Sequence, residues 1–486
     1  MKKVKWKQYV LILLCAALLC AEGTVNAMGK GSGMGEGTDK WRISGEEFLF
    51  EDKDIVGFIG DSITHVEYTQ ISYQEFLYNY YITRFPQREL EFRNLGTGSF
   101  TAEDVLKLYG GTEVYDAGLE GITKAVIMLG MNEALTGVDA KEYIGNIRAL
   151  TELLEEKGLE STDIILVAPT PFDQTRTSNY QEDGQMNAHF DDLLTEYTSG
   201  LRILAEELGT YYIDLHTPLL WATTMVQKEN GDATLTIDDS VHPSGIGNVL
   251  AGYFFLCQQG AEETVASVRI SETGNVVTEN AQVKSLKERG NRYVRFSYQP
   301  ASLPMAVPLE VKAADQSFGM LDEISREILQ VEGLDWDTVY EVHMDHVLVE
   351  KFTGAELAQG VNLASYDWNP GQMAAKDIEV LNQEWHKISA NYRAVLREAT
   401  REEKTATQEE IDAAYGKWEE NSKELRTQMY EKAQSSVEKA YLVEIISEDA
   451  HVWRGQELWQ WALEGAAALL LLSALVLVRR RRRKVK

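Results

Sequence analysis

Residues 55–64 read IVGFIGDSIT, where a short apolar run reaches a glycine and is followed by Asp61 and Ser62. The apolar run, 55–59, does not alternate with polar residues, which is typical of a strand buried on both faces. A glycine-introduced turn after such a strand would present the Ser62 hydroxyl at the head of the next helix. The stretch therefore predicts a strand–turn–helix unit with a serine at its turn.

The same pattern continues downstream, where short apolar runs alternate with longer amphipathic segments. The predicted strands are 55–59, 90–92, 125–129, 164–168 and 211–215, and the predicted helices between them are 73–85, 102–109, 143–156 and 186–208. Strands separated by helices favour a parallel sheet covered on both faces. We therefore predict an α/β domain over residues 45–261.

A chain of 486 residues is too long for this domain alone. Alternating β-branched residues over 262–368 predict a small β-rich accessory module. Asn369 with the following proline, and Thr407 with Glu410, are helix-start signals for two helices with apolar residues at steps of three and four. We therefore expect a helical hairpin within 369–447, as a spacer or packing partner near a membrane, with a partner-binding surface as the alternative.

The start of the chain has the three parts of a secretory signal peptide over residues 1–27: a lysine-rich start, an apolar run and small residues at the end. A lipoprotein signal at Cys20 and an uncleaved anchor are the alternatives. Residues 28–44 are rich in glycine at first and predict a flexible leader.

The end of the chain predicts a membrane anchor. Residues 459–478 carry a single charge, Glu464, and about 20 apolar residues suffice for a helix to cross a bilayer. Residues 479–486 are strongly basic, so the positive-inside rule predicts a cytoplasmic tail and an extracellular catalytic domain. The alternative is an amphipathic helix lying on the membrane surface.

Composition excludes several classes of protein. With 44% hydrophobic residues and a net charge of −29, the chain is expected to fold and to repel the phosphates of nucleic acid, so no nucleic-acid partner is expected. Cys257 is the only cysteine outside the N-terminal apolar run, which excludes a disulfide framework and suits a core thiol. Zinc-protease, Walker and metal-cluster motifs are absent from the sequence, so neither a metal nor a cofactor is implied.

Polar residues follow the predicted strands at the edge where parallel sheets bind ligands. Serine needs a base and donors for the oxyanion that forms after its attack. His242 can be that base for Ser62, and Asp239 can hold its imidazole. The Asn132 side chain and the backbone N–H of Ser62 can donate to the oxyanion. A further backbone N–H, from either Gly98 or Ser99, can join them.

These blocks, Gly-Asp-Ser, Gly-x-Asn and Asp-x-x-His in this order, resemble the SGNH, or GDSL-type, serine hydrolase family over about residues 50–260. The resemblance implies a three-layer α/β/α flavodoxin-like fold, ester hydrolysis and the catalytic roles just given. Two positions depart from the family: Ser99 stands where a glycine is usual, and Glu133 where an aspartate is common. As single features, the turn at Ser62 and the amide of Asn132 could instead be structural.

We therefore predict a membrane-anchored bacterial cell-surface esterase that hydrolyses O-acetyl or other short acyl esters, on a small molecule or a glycan. The alternatives are lysophospholipase activity, an acyltransferase that uses the same triad, and a catalytically inactive surface binding or scaffold protein. Two further candidates are weaker: His65 as a pocket residue, and Asp214 with His216 as a second acid–base pair.

Overall fold

The computed structural model describes residues 48–65, 71–111, 114–175, 190–288, 290–401 and 404–448. Within these ranges no helix combines the length and the apolar character that a bilayer span requires. The longest helices have 31 residues each but carry charged side chains throughout, whereas a span needs about 20 predominantly apolar residues. This finding corrects the prediction of a C-terminal transmembrane helix and a membrane-anchored location. The predicted helix 459–478, its tail 479–486, the signal peptide and the leader up to residue 44 lie outside the described residues.

The first part of the described chain forms a five-stranded parallel sheet in the order β2-β1-β3-β4-β5. The strands are β1 (Ile55–Gly60), β2 (Glu91–Gly96), β3 (Lys124–Met128), β4 (Ile164–Val167) and β5 (Tyr211–Ile213). The helices are α1 (Ser62–His65), α2 (Tyr73–Arg84), α3 (Ala102–Gly110), α4 (Met131–Thr136), α5 (Ala140–Glu156), α6 (Phe190–Leu208), α7 (His216–Glu229) and α8 (Gly245–Gln259). Each of the five strands predicted from apolar runs is present.

Local sequence explains where these elements begin. Five of the six residues of β1 are buried, as expected for a strand covered on both faces. Ser72 opens α2 and Thr101 opens α3, each through a capping box in which the side chain three residues later returns a hydrogen bond. The sheet with its connecting helices is the predicted α/β fold.

The next part of the chain is rich in strands. It contains β6 (Thr264–Ile270), β7 (Val276–Glu279), β8 (Ala281–Glu288), β9 (Tyr293–Pro300), β10 (Arg326–Val331), β11 (Val339–Met344), β12 (Val347–Thr353) and β13 (Val361–Asn362), with helices α9 (Leu309–Phe318), α10 (Leu321–Ile324) and α11 (Gly354–Gln359). A last strand, β14 (Tyr441–Ser447), lies between β11 and β9. These strands form two sheets, ordered β13-β10-β6-β7 and β12-β11-β14-β9-β8.

Two long helices, α12 (Pro370–Thr400) and α13 (Gln408–Glu438), form the hairpin. Their first turns use the sequence signals noted above, with the Asn369 side chain capping α12 and Thr407 capping α13. The hairpin therefore ends at Glu438, and 441–447, which the sequence placed with it, is a strand.

The hairpin packs directly against the parallel-sheet domain. The indole of Trp385 lies edge-on to the Tyr78 ring of α2, with centroids 5.4 Å apart. The Asn382 amide donates 2.9 Å hydrogen bonds to the Glu75 carbonyl and the Asn79 side chain. Buried residues of both long helices belong to the same hydrophobic cluster as the sheet. The hairpin is thus part of the same core as the parallel sheet.

Candidate active site

A chain of hydrogen bonds joins three side chains at the carboxyl edge of the sheet. The Ser62 Oγ lies 2.8 Å from Nε2 of His242, and Nδ1 of the same imidazole lies 2.5 Å from Asp239 Oδ2. A hydroxyl that shares its proton with an imidazole held by a carboxylate can act as a nucleophile. The structure therefore brings together the three residues that the sequence singled out for this chemistry.

Two positions must be glycine for the serine turn, residues 60–64, to pack as it does: Gly60 in the turn and Gly96 at the end of β2. A Cβ on Gly60 would lie 2.1 Å from Thr64 Oγ1, and a Cβ on Gly96 would lie 2.4 Å from the backbone nitrogen of His65. Neither distance is tolerated by a real side chain. The absence of side chains here lets α1 begin directly against the end of β2, which fixes Ser62 at the edge of the sheet.

The histidine loop, residues 235–244, is held by its own backbone. The Ile237 N–H donates to the His242 carbonyl at 2.8 Å, and Ser240, at the tip, has a φ of +66°. The Asp239 Oδ1 accepts from the N–H groups of Val241 and His242, both at 2.9 Å. Partial burial opposes ionisation of Asp239, but these bonds and the one from the imidazole hold its pKa below the usual value. Asp239 is therefore held as a carboxylate.

Residues 97–100, which the sequence predicts to supply an oxyanion donor, follow β2 and are called the oxyanion loop. Register pairs Gly60 of β1 with both Gly96 and Met128, so the segments after these three strands leave the sheet at one edge. Gly98 is buried and Ser99 is exposed. The side-chain amide of Asn132 donates a 2.9 Å hydrogen bond to the Phe100 carbonyl, which joins the third strand's loop to the second's.

The two departures from the family pattern both have a structural explanation. Ser99 has a φ of +69°, a left-handed conformation in which glycine is unstrained and other residues are disfavoured. Glu133 is buried, and its Oε1 accepts a 2.6 Å hydrogen bond from the N–H of Ala102 at the start of α3. Ser99 therefore occupies a backbone conformation that suits glycine, and Glu133 holds the start of α3.

Buried carboxyls around the site have raised pKa values. Burial raises the pKa of Asp61 to about 6, although its Oδ1 accepts a 2.8 Å hydrogen bond from the Ile63 N–H. Burial likewise raises the pKa of Glu133 to about 7. Both groups therefore change charge at mildly acidic to neutral pH.

The side chains of the weaker candidates make contacts with residues outside the triad. His65 is buried, with its Nε2 3.3 Å from the Ala390 carbonyl of α12. Asp214 accepts a hydrogen bond from the Thr217 N–H in the first turn of α7, and His216 is buried with its Nε2 3.1 Å from Asp191. These contacts support packing and helix capping. Across the described ranges no cluster of three or more His, Cys, Asp or Glu side chains is placed to hold a metal ion.

An arginine that the sequence did not single out reaches the base of the oxyanion loop. Arg393 of α12 is fully buried and hydrogen-bonds to the carbonyls of Leu95 and Gly96 and to the Thr97 hydroxyl. In the sequence, the only indication that Arg393 is buried is its position next to Tyr392 in the apolar seam of α12. That signal is weak because a charged residue beside a seam is usually solvated.

Residues 58–250 match the family described as GDSL-like lipase/acylhydrolase. A search of curated proteins found no match. A solved structure titled BT4096, a gut microbial diltiazem-metabolizing enzyme, has a TM-score of 0.69 and 21% identity, covering 82% of this chain and 98% of its own. That likeness shows a shared fold.

Two smaller structures also match. Axe2, an acetylxylan esterase from Geobacillus stearothermophilus, is 19% identical, with a TM-score of 0.34 and coverage of 44% of this chain and 98% of its own. The acetyl xylan esterase AlAXEase is 20% identical, with a TM-score of 0.34 and coverage of 41% and 97%.

Proposed function

We propose that the domain of residues 58–250, which matches the GDSL-like lipase/acylhydrolase family, hydrolyses ester bonds through a Ser62–His242–Asp239 triad. The observation that carries the proposal is the continuous hydrogen-bonded path from Ser62 Oγ through both imidazole nitrogens to the Asp239 carboxylate, with separations of 2.8 and 2.5 Å. The order nucleophile, base and orienting acid is the one that the chemistry needs.

The first half of the proposed reaction acylates the serine. Ser62 Oγ attacks the carbonyl carbon of the ester while His242 Nε2 takes the hydroxyl proton. The resulting imidazolium is stabilised by Asp239, whose low pKa keeps it ionised. As the tetrahedral intermediate collapses, the proton passes to the leaving alcohol, and the acyl group remains on Ser62.

The second half returns the enzyme to its starting state. A water molecule gives a proton to His242 and attacks the acyl carbon, and the carboxylic acid leaves as Ser62 regains its proton. Both tetrahedral intermediates carry a negative oxygen, which needs fixed donors. We assign these to the backbone N–H of Ser62, the N–H of Gly98 or Ser99, and the Asn132 side chain.

The Asn132 assignment is compatible with its contact to Phe100. A side-chain amide has two N–H groups, and the hydrogen bond to the Phe100 carbonyl uses one of them. That bond also fixes the plane of the amide. The second N–H is therefore the one that we assign to the oxyanion.

The family match indicates an acylated substrate. We propose that this substrate is a short acyl ester carried on a carbohydrate. The resemblance seen in the sequence motivates this choice. Lysophospholipase activity, acyl transfer and an inactive binding role are the competing functions, and the experiment below separates them. Ser99 and Glu133, which depart from the family pattern, both occupy positions that are compatible with an active site at the sheet edge.

The test compares purified wild type with Ser62→Ala on p-nitrophenyl acetate, butyrate and octanoate, acetylated xylo-oligosaccharides, diltiazem and a lysophospholipid. We expect release of acid or acetate by wild type only, with acetyl esters preferred. Octanoate or lysophospholipid preference would contradict the short-acyl assignment. An acylated product formed only when a sugar acceptor is added would indicate transfer, and equal background from two folded proteins would favour the binding role.

A further inference from the structure

The buried guanidinium of Arg393 makes four hydrogen bonds, three of them at the end of β2. Its Nε donates to the Gly96 carbonyl at 3.0 Å, and its Nη2 donates to the Leu95 carbonyl at 3.1 Å and to Thr97 Oγ1 at 2.8 Å. Its Nη1 donates to Asp116 at 2.5 Å. Two of the four acceptors thus belong to the last residues of β2, and a third belongs to Thr97, the first residue of the oxyanion loop.

Asp116 holds the guanidinium from the other side. Both side chains of this ion pair are fully buried, and Asp116 also accepts a 2.5 Å hydrogen bond from the Tyr392 hydroxyl and a 2.9 Å bond from the Gly118 N–H. The arginine is therefore fixed in orientation as well as in position. Since β2 is at the edge of the sheet within the described ranges, α12 supplies partners on the side where no described strand lies.

The same helix reaches the loop one turn later. A Cβ on Gly98 would lie 3.1 Å from the Cζ of Arg397, so the guanidinium of Arg397 packs against the Gly98 backbone. Its Nη2 lies 3.5 Å from Ser99 Oγ. Residues 393 and 397 of α12 thus contact consecutive parts of the segment 95–99, almost 300 positions earlier in the chain.

We propose that Arg393 is a positioning residue that fixes the oxyanion loop, so that the helical hairpin is a working part of the active site. The inference rests on the proposed function. A buried ion pair is an inefficient way to gain stability, because well-packed apolar residues do as well or better. The rigid fork of an arginine, in contrast, can fix several acceptors relative to one another. Here these acceptors set the direction in which the Gly98 and Ser99 N–H groups point.

The test measures kcat and KM for p-nitrophenyl acetate in Arg393→Lys and Thr97→Val. Lysine retains the charge but not the fork, and valine removes one acceptor while keeping the shape of threonine. Since a misplaced or missing oxyanion donor costs about 100-fold or more in rate, we expect kcat to fall by roughly 10- to 100-fold in Arg393→Lys, with KM changed by less than about threefold. For Thr97→Val we expect a smaller fall in kcat, of about threefold to tenfold.

Arg426→Gln is the matched control. Arg426 of α13 forms an ion pair with Glu91 at the opposite end of β2, so its loss removes a contact between the hairpin and the same strand, far from the loop. We expect this variant to keep kcat within about twofold of wild type, even if its thermal midpoint is lower. A trifluoromethyl ketone forms a hemiketal adduct with the serine that carries an oxyanion, and it should bind Arg393→Lys more weakly by the same factor as kcat falls.

The kcat values of the loop variants and of the control decide whether Arg393 positions the oxyanion loop. A folded Arg393→Lys or Thr97→Val with wild-type kcat would overturn the inference, as would an equal loss in Arg426→Gln. If Arg393→Lys does not fold, Thr97→Val decides. Wild type and Ser62→Ala are measured first: no serine-dependent activity would overturn the proposed function as well, whereas active wild type with unaffected loop variants would overturn this inference alone.

Discussion

The Glu133 Oε1 lies 2.6 Å from the backbone nitrogen of Ala102, so a side chain after β3 caps the helix that follows the oxyanion loop. The carboxyl is buried, and no other described side chain provides this acceptor. The contact ties together the loops after the second and third strands. Asn132, the preceding residue, makes the parallel contact to Phe100.

Replacing Glu133 tests this connection. Glu133→Gln keeps an oxygen acceptor for the Ala102 N–H and should retain kcat within about threefold, whereas Glu133→Ala leaves a buried donor unpaired and should cost about 1–3 kcal/mol of stability. Chemical denaturation and kcat on p-nitrophenyl acetate measure both effects. Equal behaviour of the two variants would contradict the capping role.

Stability should decrease as the pH rises from about 5 to 8. Burial raises the pKa of Asp61 to about 6, of Glu75 to about 8, and of Glu133 and Glu379 to about 7. Because these folded-state values exceed those of the unfolded chain, the stabilisation is complete below about pH 4 and is lost as the pH rises through the folded values. We expect a fall of about 2 kcal/mol or more in the free energy of unfolding.

Asp116 and Asp239 change stability with pH in the opposite direction. Burial opposes their ionisation, but hydrogen bonds and the charges of Arg393 and His242 lower their pKa values. Their contribution is present above about pH 4 and is lost as the pH falls, so stability should be greatest between about pH 4 and pH 6. Glu75→Gln keeps an acceptor for the capping box of α2 and should flatten the decline toward pH 8. A stability that rises steadily to pH 8 would contradict this prediction.

Ser99→Gly should stabilise the protein. The φ of +69° at Ser99 costs a non-glycine residue about 1–2 kcal/mol, and the greater freedom of glycine in the unfolded chain returns part of this, which leaves a gain of about 0.5–1 kcal/mol. Activity should persist because the backbone N–H remains. Ser99→Ala is the control, since it removes the hydroxyl without relieving the backbone. Lower stability of the glycine variant would show that the contact with Arg397 outweighs the strain.

Asp239→Asn should lower kcat by roughly 10³–10⁴-fold, because an amide no longer holds the imidazole in the tautomer that accepts the serine proton. Asp214→Asn is the matched control: it alters the other Asp-x-His candidate, which serves as a cap of α7, and should leave kcat within about twofold. A large loss in Asp214→Asn with an active Asp239→Asn would reverse the assignment.

Much of the sheet domain was predictable because its signals are local. Uninterrupted apolar runs such as 55–59 identify buried strands, and Gly60 before Ser62 marks a turn whose close packing excludes any side chain. The site followed from parallel topology, since strand ends meet at one edge. Asp239 and His242 lie three residues apart, so their contact was accessible to sequence reasoning.

The role of the hairpin was not predictable in the same way. An apolar seam on two helices looks alike whether they pack on each other or on a third element, and Arg393 reads as a solvated charge until Asp116 is seen beside it. The strand Tyr441–Ser447 follows the helices but pairs with β9 and β11, far earlier in the chain. Such long-range partners leave no local pattern.

Covalent labelling tests directly whether Ser62 is the nucleophile and His242 its base. The purified protein is incubated with a fluorophosphonate at pH 7.5, and intact-mass and peptide analysis locate the adduct. We expect one adduct per chain, on the peptide that contains Ser62, with none in Ser62→Ala and much slower labelling in His242→Ala. A folded wild type that stays unmodified, or is modified at another serine, would contradict this assignment.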